Sequence, residues 1–157
     1  MIYLEKYVKI LKQNQLKITP QRLAIMKFLD EHRTHPTVDE IYSELKEKNP
    51  SLSKTTVYNS LEILSEHNII QTLAISNSEL RYEFENKMHH HFLCKKCGKI
   101  IDMQILCDKC DIVLGTNSKC PSTSELLKGG HQVDEIHGYF KGTCNTCLKK
   151  EKNNHGS

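Results

Sequence analysis

Residues 51–64 read SLSKTTVYNSLEIL. Ser53 stands where a helix N-cap belongs, because a hydroxyl there can accept from a backbone N–H of the first turn. From Lys54 onward Val57, Leu61 and Leu64 recur at intervals of three and four residues, which predicts one buried face of a helix running to about His67. Upstream, across the turn NPSLS, Thr37 caps a helix through about Lys48 with Val38, Ile41, Tyr42 and Leu45 inward. Before the break RTHPT, the run KITPQRLAIMKFLDEH sets Thr19 as N-cap and Pro20 in the first helical position. Its buried face is Leu23, Ile25, Met26, Phe28 and Leu29, and the opening stretch places Tyr3, Tyr7, Val8, Ile10 and Leu11 at helical spacing. Downstream, IIQTLAI and ELRYEF alternate on either side of SNS and read as a β-hairpin. Helices followed by a two-stranded hairpin outline a winged helix-turn-helix, whose commonest use is DNA binding. The plainer alternative is a helical bundle that carries a hairpin.

The chain has 157 residues, enough for one sizeable domain or two small ones, with 38% hydrophobic and 26% charged residues. No apolar run approaches the ~18 residues of a membrane span, and MIYLEKYVKILKQ lacks a signal-peptide core. A soluble, cytoplasmic protein without a membrane partner is expected. The net charge of +3 permits nucleic acid without requiring it. Lys and Arg outnumber Asp and Glu ten to seven in residues 1–60, fall to two against five in 61–88, and return to ten against seven in 89–157. Any nucleic-acid surface must therefore be local.

Cysteine divides the chain more sharply. All seven Cys lie between Cys94 and Cys147, and the first glycine is Gly98. The expected fold is α+β, with residues 1–86 a winged-helix domain and 87–157 a small unit that needs metal or disulfides to hold it. An odd cysteine count without a signal peptide argues for metal or redox chemistry. Two C-x2-C pairs, Cys94/Cys97 and Cys144/Cys147, each offer two thiolates on a tight turn, with Gly98 suited to the first knuckle. Together they close a four-thiolate set of the kind that structural Zn²⁺ prefers, leaving no open coordination position. A redox dithiol pair is the alternative. After the second pair, KKEK reads as a charged tail.

A second donor set differs in kind. His89, His90 and His91 precede Cys94, Glu83 lies on the second hairpin strand, Asp102 follows the first knuckle, and His35 sits in the THPT turn. On an extended chain His89 and His91 project to one side and His90 to the other, so that replacing His90 should be nearly neutral. Imidazoles with carboxylates suit Fe²⁺, Mn²⁺ or Zn²⁺ held more reversibly than by thiolates. A solvated polar stretch is the plain alternative. Residues 105–124 hold Cys107, Cys110 and Cys120, which with His131 could form a further knuckle or a redox-active thiol set; His137 is a further candidate ligand. A variable loop with reduced thiols is the bland reading.

KITPQR, HPTVDEIYSELK, SLSKTTVYNSLEIL and HHHFLCKKCGKIID, with the terminal C-x2-C, resemble the ferric uptake regulator family over residues 10–102 and again near 131–150. The resemblance implies a dimeric, metal-dependent transcriptional repressor that binds double-stranded DNA at a palindromic operator. It implies a winged-helix domain, a C-terminal α/β dimerisation domain, a structural zinc and a regulatory metal. His35, Glu83, His89, His91 and Asp102 fall on the regulatory positions, and Cys94, Cys97, Cys144 and Cys147 on those of the structural zinc. Tyr58 matches the recognition-helix tyrosine, with Ser53, Lys54, Thr55, Thr56 and Asn59 able to reach phosphates and bases. Asn59 and Asp102 resemble the peroxide-sensing branch, in which bound Fe²⁺ reacts with hydrogen peroxide and a ligating His is oxidised. Glu83 resembles the iron-responsive branch, and the zinc-responsive branch stays open. His91 is expected on a flexible approach to the second domain. A zinc enzyme and a zinc-ribbon adaptor are the competing classes. The first lacks an H-E-x-x-H, a nucleophile motif or a phosphate loop, and the second leaves the histidines idle.

Overall fold

A computed structural model describes residues 2–75, 79–84, 89–103, 128–130 and 138–154. The chain divides into two compact units, Met1–Asn86 and Lys87–Ser157. The first is built from α1 (Ile2–Gln13), α2 (Pro20–Glu31), α3 (Val38–Lys48) and α4 (Lys54–Glu66), followed by the short strands β1 (Gln71–Leu73) and β2 (Arg81–Glu83). Each helix after the first begins at a side-chain cap. Thr19 accepts from the Arg22 N–H, Thr37 from that of Glu40, and Ser53 from that of Thr56. At α3 the Glu40 carboxylate also accepts from the Thr37 N–H, at 2.7 Å, which closes a capping box. Replacing such a cap by Ala costs about 1 kcal/mol, so these residues fix where each helix starts.

The helices bury their apolar stripes against one another. Tyr7, Leu11, Ile25, Met26, Leu29, Ile41, Val57, Leu61 and Leu64 are essentially inaccessible, and Val38 and Leu45 join the same core. Leu23, Phe28 and Tyr42, expected inside, are only partly covered. The Tyr7 hydroxyl stays satisfied by donating to Asp30 at 2.8 Å. β1 and β2 pair antiparallel with Thr72 opposite Tyr82, forming the wing, and Tyr82 N–H donates to the Pro36 carbonyl. Helices α3 and α4 with this hairpin give the winged helix-turn-helix outline.

The second unit is a three-stranded sheet in the order β4–β3–β5, from β3 (His90–Cys94), β4 (Ile100–Met103) and β5 (Tyr139–Gly142). β3 pairs antiparallel with β4 and parallel with β5. The expected charged tail is instead a helix, α5 (Asn145–Asn154), that starts directly after Cys144. The run LKKEKNN contains no helix breaker, and the Cys144 carbonyl accepts from the Leu148 N–H at 3.0 Å to close the first turn. Cys107, Cys110, Cys120, His131 and His137 lie outside the described residues, as does the hairpin turn.

Two expectations about the histidine run need correction. His91 is interior to β3 and 2% exposed, so it does not lie on a flexible approach. His90 does point away from its neighbours but is 1% exposed, and among the described residues neither ring nitrogen has a hydrogen-bond partner. Burial pushes its imidazole below the ordinary value, with His91 and His89 adding to the effect, and the ring packs edge-on to Phe140. Strand alternation separates two faces, but here both faces are covered. His90→Ala therefore removes a packed ring and is not a neutral control.

Gly138 tests this packing. A β-carbon there would come within 2.3 Å of His90 Nδ1. Gly138→Ala is expected to cost about 1–3 kcal/mol through overpacking, read as a lower melting temperature by circular dichroism. Adding His90→Ala should recover part of that loss. A Gly138→Ala protein that melts like the wild type would show that His90 does not fill this space.

Candidate metal centre and nucleic-acid interface

The two C-x2-C turns come together through strand pairing. Cys94 ends β3, and Gly98, at φ +71°, closes its turn by donating its N–H to the Cys94 carbonyl at 2.9 Å. This left-handed backbone is one that glycine adopts without steric cost. In the parallel β3–β5 pair Cys94 stands opposite Gly142, and Lys95 N–H donates to the Gly142 carbonyl. That register carries Cys144 beside Cys94, and its N–H reaches the Cys94 sulfur at 3.3 Å. The Cys94 and Cys147 sulfurs are 3.9 Å apart, and those of Cys97 and Cys144 3.8 Å. A tetrahedron with Zn–S bonds of about 2.3 Å has edges of about 3.8 Å. The four thiolates therefore fit a zinc site.

Electrostatics points the same way. The Cys94 thiol is pulled down to about 6, first by the N–H of Cys144 and then by that of Cys97. Cys144 is lowered chiefly by the Cys147 N–H, donated from the first turn of α5. Cys147 is pushed up to about 12, chiefly by its contact with the Cys144 side chain. Backbone donors favour thiolate at two positions while crowding opposes it at a third. A divalent cation among the four sulfurs removes that conflict.

The nitrogen and oxygen donors form a distinct arrangement in each unit. In the second, His91 and Asp102 are direct partners across the β3–β4 pair, so their side chains share a face. Asp102 Oδ1 lies 3.6 Å from His89 Nε2 and 3.8 Å from His91 Nε2, and the two imidazole centroids are 4.5 Å apart. These separations are too long for hydrogen bonds. They suit donors that each stand about 2.1 Å from a shared ion. In the first unit, His35 and Glu83 are both buried, at 3% and 6% exposure, with Nε2 and Oε2 3.1 Å apart. His35 adopts φ +52°, a left-handed conformation that costs a non-glycine residue roughly 1–2 kcal/mol.

On α4, Val57, Leu61 and Leu64 face inward as expected, leaving Lys54, Thr55, Tyr58 and Asn59 exposed. The Ser53 and Thr56 hydroxyls lie 2.7 Å apart at the cap, so both already serve the helix start. Lys54 pairs with Asp39 of α3 and stands 6.0 Å from the Tyr58 ring centroid. Asp39 also raises the Lys54 amine, which stays charged. The far end of α4 carries Glu62 and Glu66, so an anionic partner is favoured only at the N-terminal half, where the helix dipole is positive. Reading the sequence missed three participants: Asp39, which pairs with Lys54, and Glu40 and Arg81, whose side chains lie 3.4 Å apart beside the α3 cap. The T-x-x-E spacing of a capping box signals Glu40, whereas Asp39 and Arg81 act through contacts distant in sequence.

Comparison with known proteins places these features. The sequence pattern of the Ferric uptake regulator family matches residues 13–112. The chain is 41% identical over 101 residues to the peroxide-responsive repressor PerR of Staphylococcus aureus, covering 64% of this chain and 68% of that protein. Its fold is similar to the ferric uptake regulator Fur of Helicobacter pylori, at TM-score 0.69 and 27% identity, over 93% of this chain and 91% of that one. It is also similar to the peroxide stress regulator of Campylobacter jejuni, at TM-score 0.63 and 32% identity, over 89% and 98%. Regulators of this kind are not enzymes, and the catalytic-zinc reading falls away. The protein belongs to the ferric uptake regulator family of metal-responsive, DNA-binding transcriptional regulators.

Proposed function

We propose that the protein is a metal-dependent repressor that senses peroxide through a regulatory Fe²⁺ or Mn²⁺ site. The observation that carries this reading is the presence of two chemically distinct donor sets. One has four sulfurs at zinc spacing, and the other has imidazoles paired with carboxylates. Four thiolates leave no open position and suit a structural Zn²⁺ at Cys94, Cys97, Cys144 and Cys147. The His35–Glu83 pair and the His89–His91–Asp102 trio suit a harder, exchangeable ion. In this reading all five serve one ion, so that metal affinity is linked to the arrangement that reads DNA.

Residues 1–86 then act as the DNA-binding domain and 87–157 as the dimerisation domain of a cytoplasmic homodimer on a palindromic operator. Tyr58 and Asn59 meet base edges while Lys54, Thr55 and the α4 N-terminus meet phosphate. Asn59, Asp102 and the 41% identity to PerR support the peroxide branch. Glu83 favours the alternative, an iron-responsive repressor with the same site; a zinc-responsive repressor is a further alternative. No helix among the described residues is long and apolar enough to cross a membrane.

Three experiments test this reading. Loading the protein anaerobically with Fe²⁺ and adding hydrogen peroxide should place one oxygen atom on His35 or His91, with water as the other product, and release operator DNA. Mass spectrometry of the peptides reads the gain. An unmodified protein that still needs Fe²⁺ for DNA binding would favour the iron-responsive alternative.

Cys144→Ser should lower zinc content and the melting temperature together, because ion binding in a closed site contributes directly to folding free energy. A zinc-free variant with wild-type melting would remove the structural role. Tyr58→Ala should weaken operator binding by about 1–3 kcal/mol with zinc content unchanged. Equal loss on operator and random DNA in an anisotropy titration would mean that Tyr58 does not read sequence.

A further inference from the structure

We propose that Arg81 is the positioning residue of the His35–Glu83 pair, holding the His35 turn in its left-handed shape. The proposal rests on the regulatory role given above to His35 and Glu83. Among the described residues, the other non-glycine positions at positive φ are Gln15 and Asn68. Each lies just past the end of a helix, where a left-handed residue commonly terminates the turn. His35 follows no helix end so closely and precedes Pro36, whose ring restricts the conformation of the residue before it. Something outside the turn must hold it.

Three successive residues of β2 do so. Arg81 Nη1 donates to the His35 carbonyl at 3.1 Å, Tyr82 N–H donates to the Pro36 carbonyl at 3.0 Å, and Glu83 Oε2 meets His35 Nε2 at 3.1 Å. The middle contact is backbone and does not depend on the side chain. The third is the pair to be positioned. Arg81 is thus the one side chain among them that fixes the His35 backbone without belonging to the donor set.

The guanidinium also reaches the capping box of α3. Its Nη1 lies 3.4 Å from Glu40 Oε2, the atom that accepts the Thr37 N–H. One cation therefore ties the His35 carbonyl to the carboxylate that closes the α3 capping box, five residues further along the chain. The Arg81 side chain is 22% exposed and that of Glu40 57%, so the cation is partly covered while the carboxylate faces solvent. Without that cation the His35 turn can relax toward negative φ, which swings the imidazole away from Glu83.

The test uses the full-length, zinc-loaded protein and its Arg81→Met, Arg81→Lys and Glu83→Gln variants. Mn²⁺ affinity is measured by calorimetry without DNA, alongside zinc content and melting temperature. Arg81→Met is expected to weaken Mn²⁺ binding by about 10-fold or more, the range seen for residues that orient ligands. Arg81→Lys should recover part of it, because an ammonium can still donate to the His35 carbonyl. In the protein without Mn²⁺, Arg81→Met should speed amide exchange at Thr37 and shift the His35 imidazole resonances, readouts independent of metal loading. Wild-type Mn²⁺ affinity and unchanged His35 resonances in Arg81→Met would overturn the proposal. Were Glu83→Gln alone to weaken Mn²⁺ binding, the regulatory reading would stand and the role of Arg81 would fall. Wild-type Mn²⁺ affinity in Glu83→Gln would instead remove the regulatory reading, and the positioning role with it.

Discussion

Four sulfurs packed at 3.8–3.9 Å across two pairs cannot all carry charge without a cation among them. The second unit depends on resolving that conflict. Its strands run four or five residues each, and its buried apolar side chains among the described residues are Cys94, Ile100 and Cys144. The parallel pairing of β3 with β5 and the first turn of α5 converge on the same sulfurs. Backbone N–H groups of Cys97, Cys144 and Cys147 aim at them from a turn and a helix start. Among the described residues, strand pairing and the helix start both act to gather the four thiolates.

The first unit works the other way. Fifteen buried side chains from the four helices, their connections and the wing form one hydrophobic core. Side-chain caps set the helix starts, and the surface left over is chemically graded. Lys54 and the positive helix end mark one half of α4, and Glu62 and Glu66 the other. Asp39 engages Lys54, so an approaching phosphate must compete with a carboxylate already in place. An exposed pair of this kind contributes little to stability. Its effect lies in lowering the attraction of that lysine for a polyanion.

The buried histidines show how one residue type is put to different uses by its surroundings. His89 and His91 turn their imidazoles toward Asp102 across a strand pair. His90, one position away on the same strand, fills space beside Gly138 and Phe140. His35 reaches Glu83 from a left-handed backbone. Donor character alone does not separate these roles. Which groups surround each ring does.

Much of this was legible in the sequence. The helix starts at Pro20, Val38 and Lys54, the wing strands, the paired C-x2-C turns and the H-x-H face all follow from local rules. A cap sits next to the helix it starts, and a knuckle spans a few residues. What local rules could not supply was the parallel β3–β5 pairing, the burial of His90, the Lys54–Asp39 contact and the Arg81 link to His35. Each joins residues between 15 and about 50 positions apart, and a period-two pattern does not say whether its second face meets solvent or protein. The sequence by itself determined which side chains were available as ligands and where each element began. The tertiary structure alone decided which of them share a face, because that depends on strand register and on a single left-handed residue that no periodicity reveals.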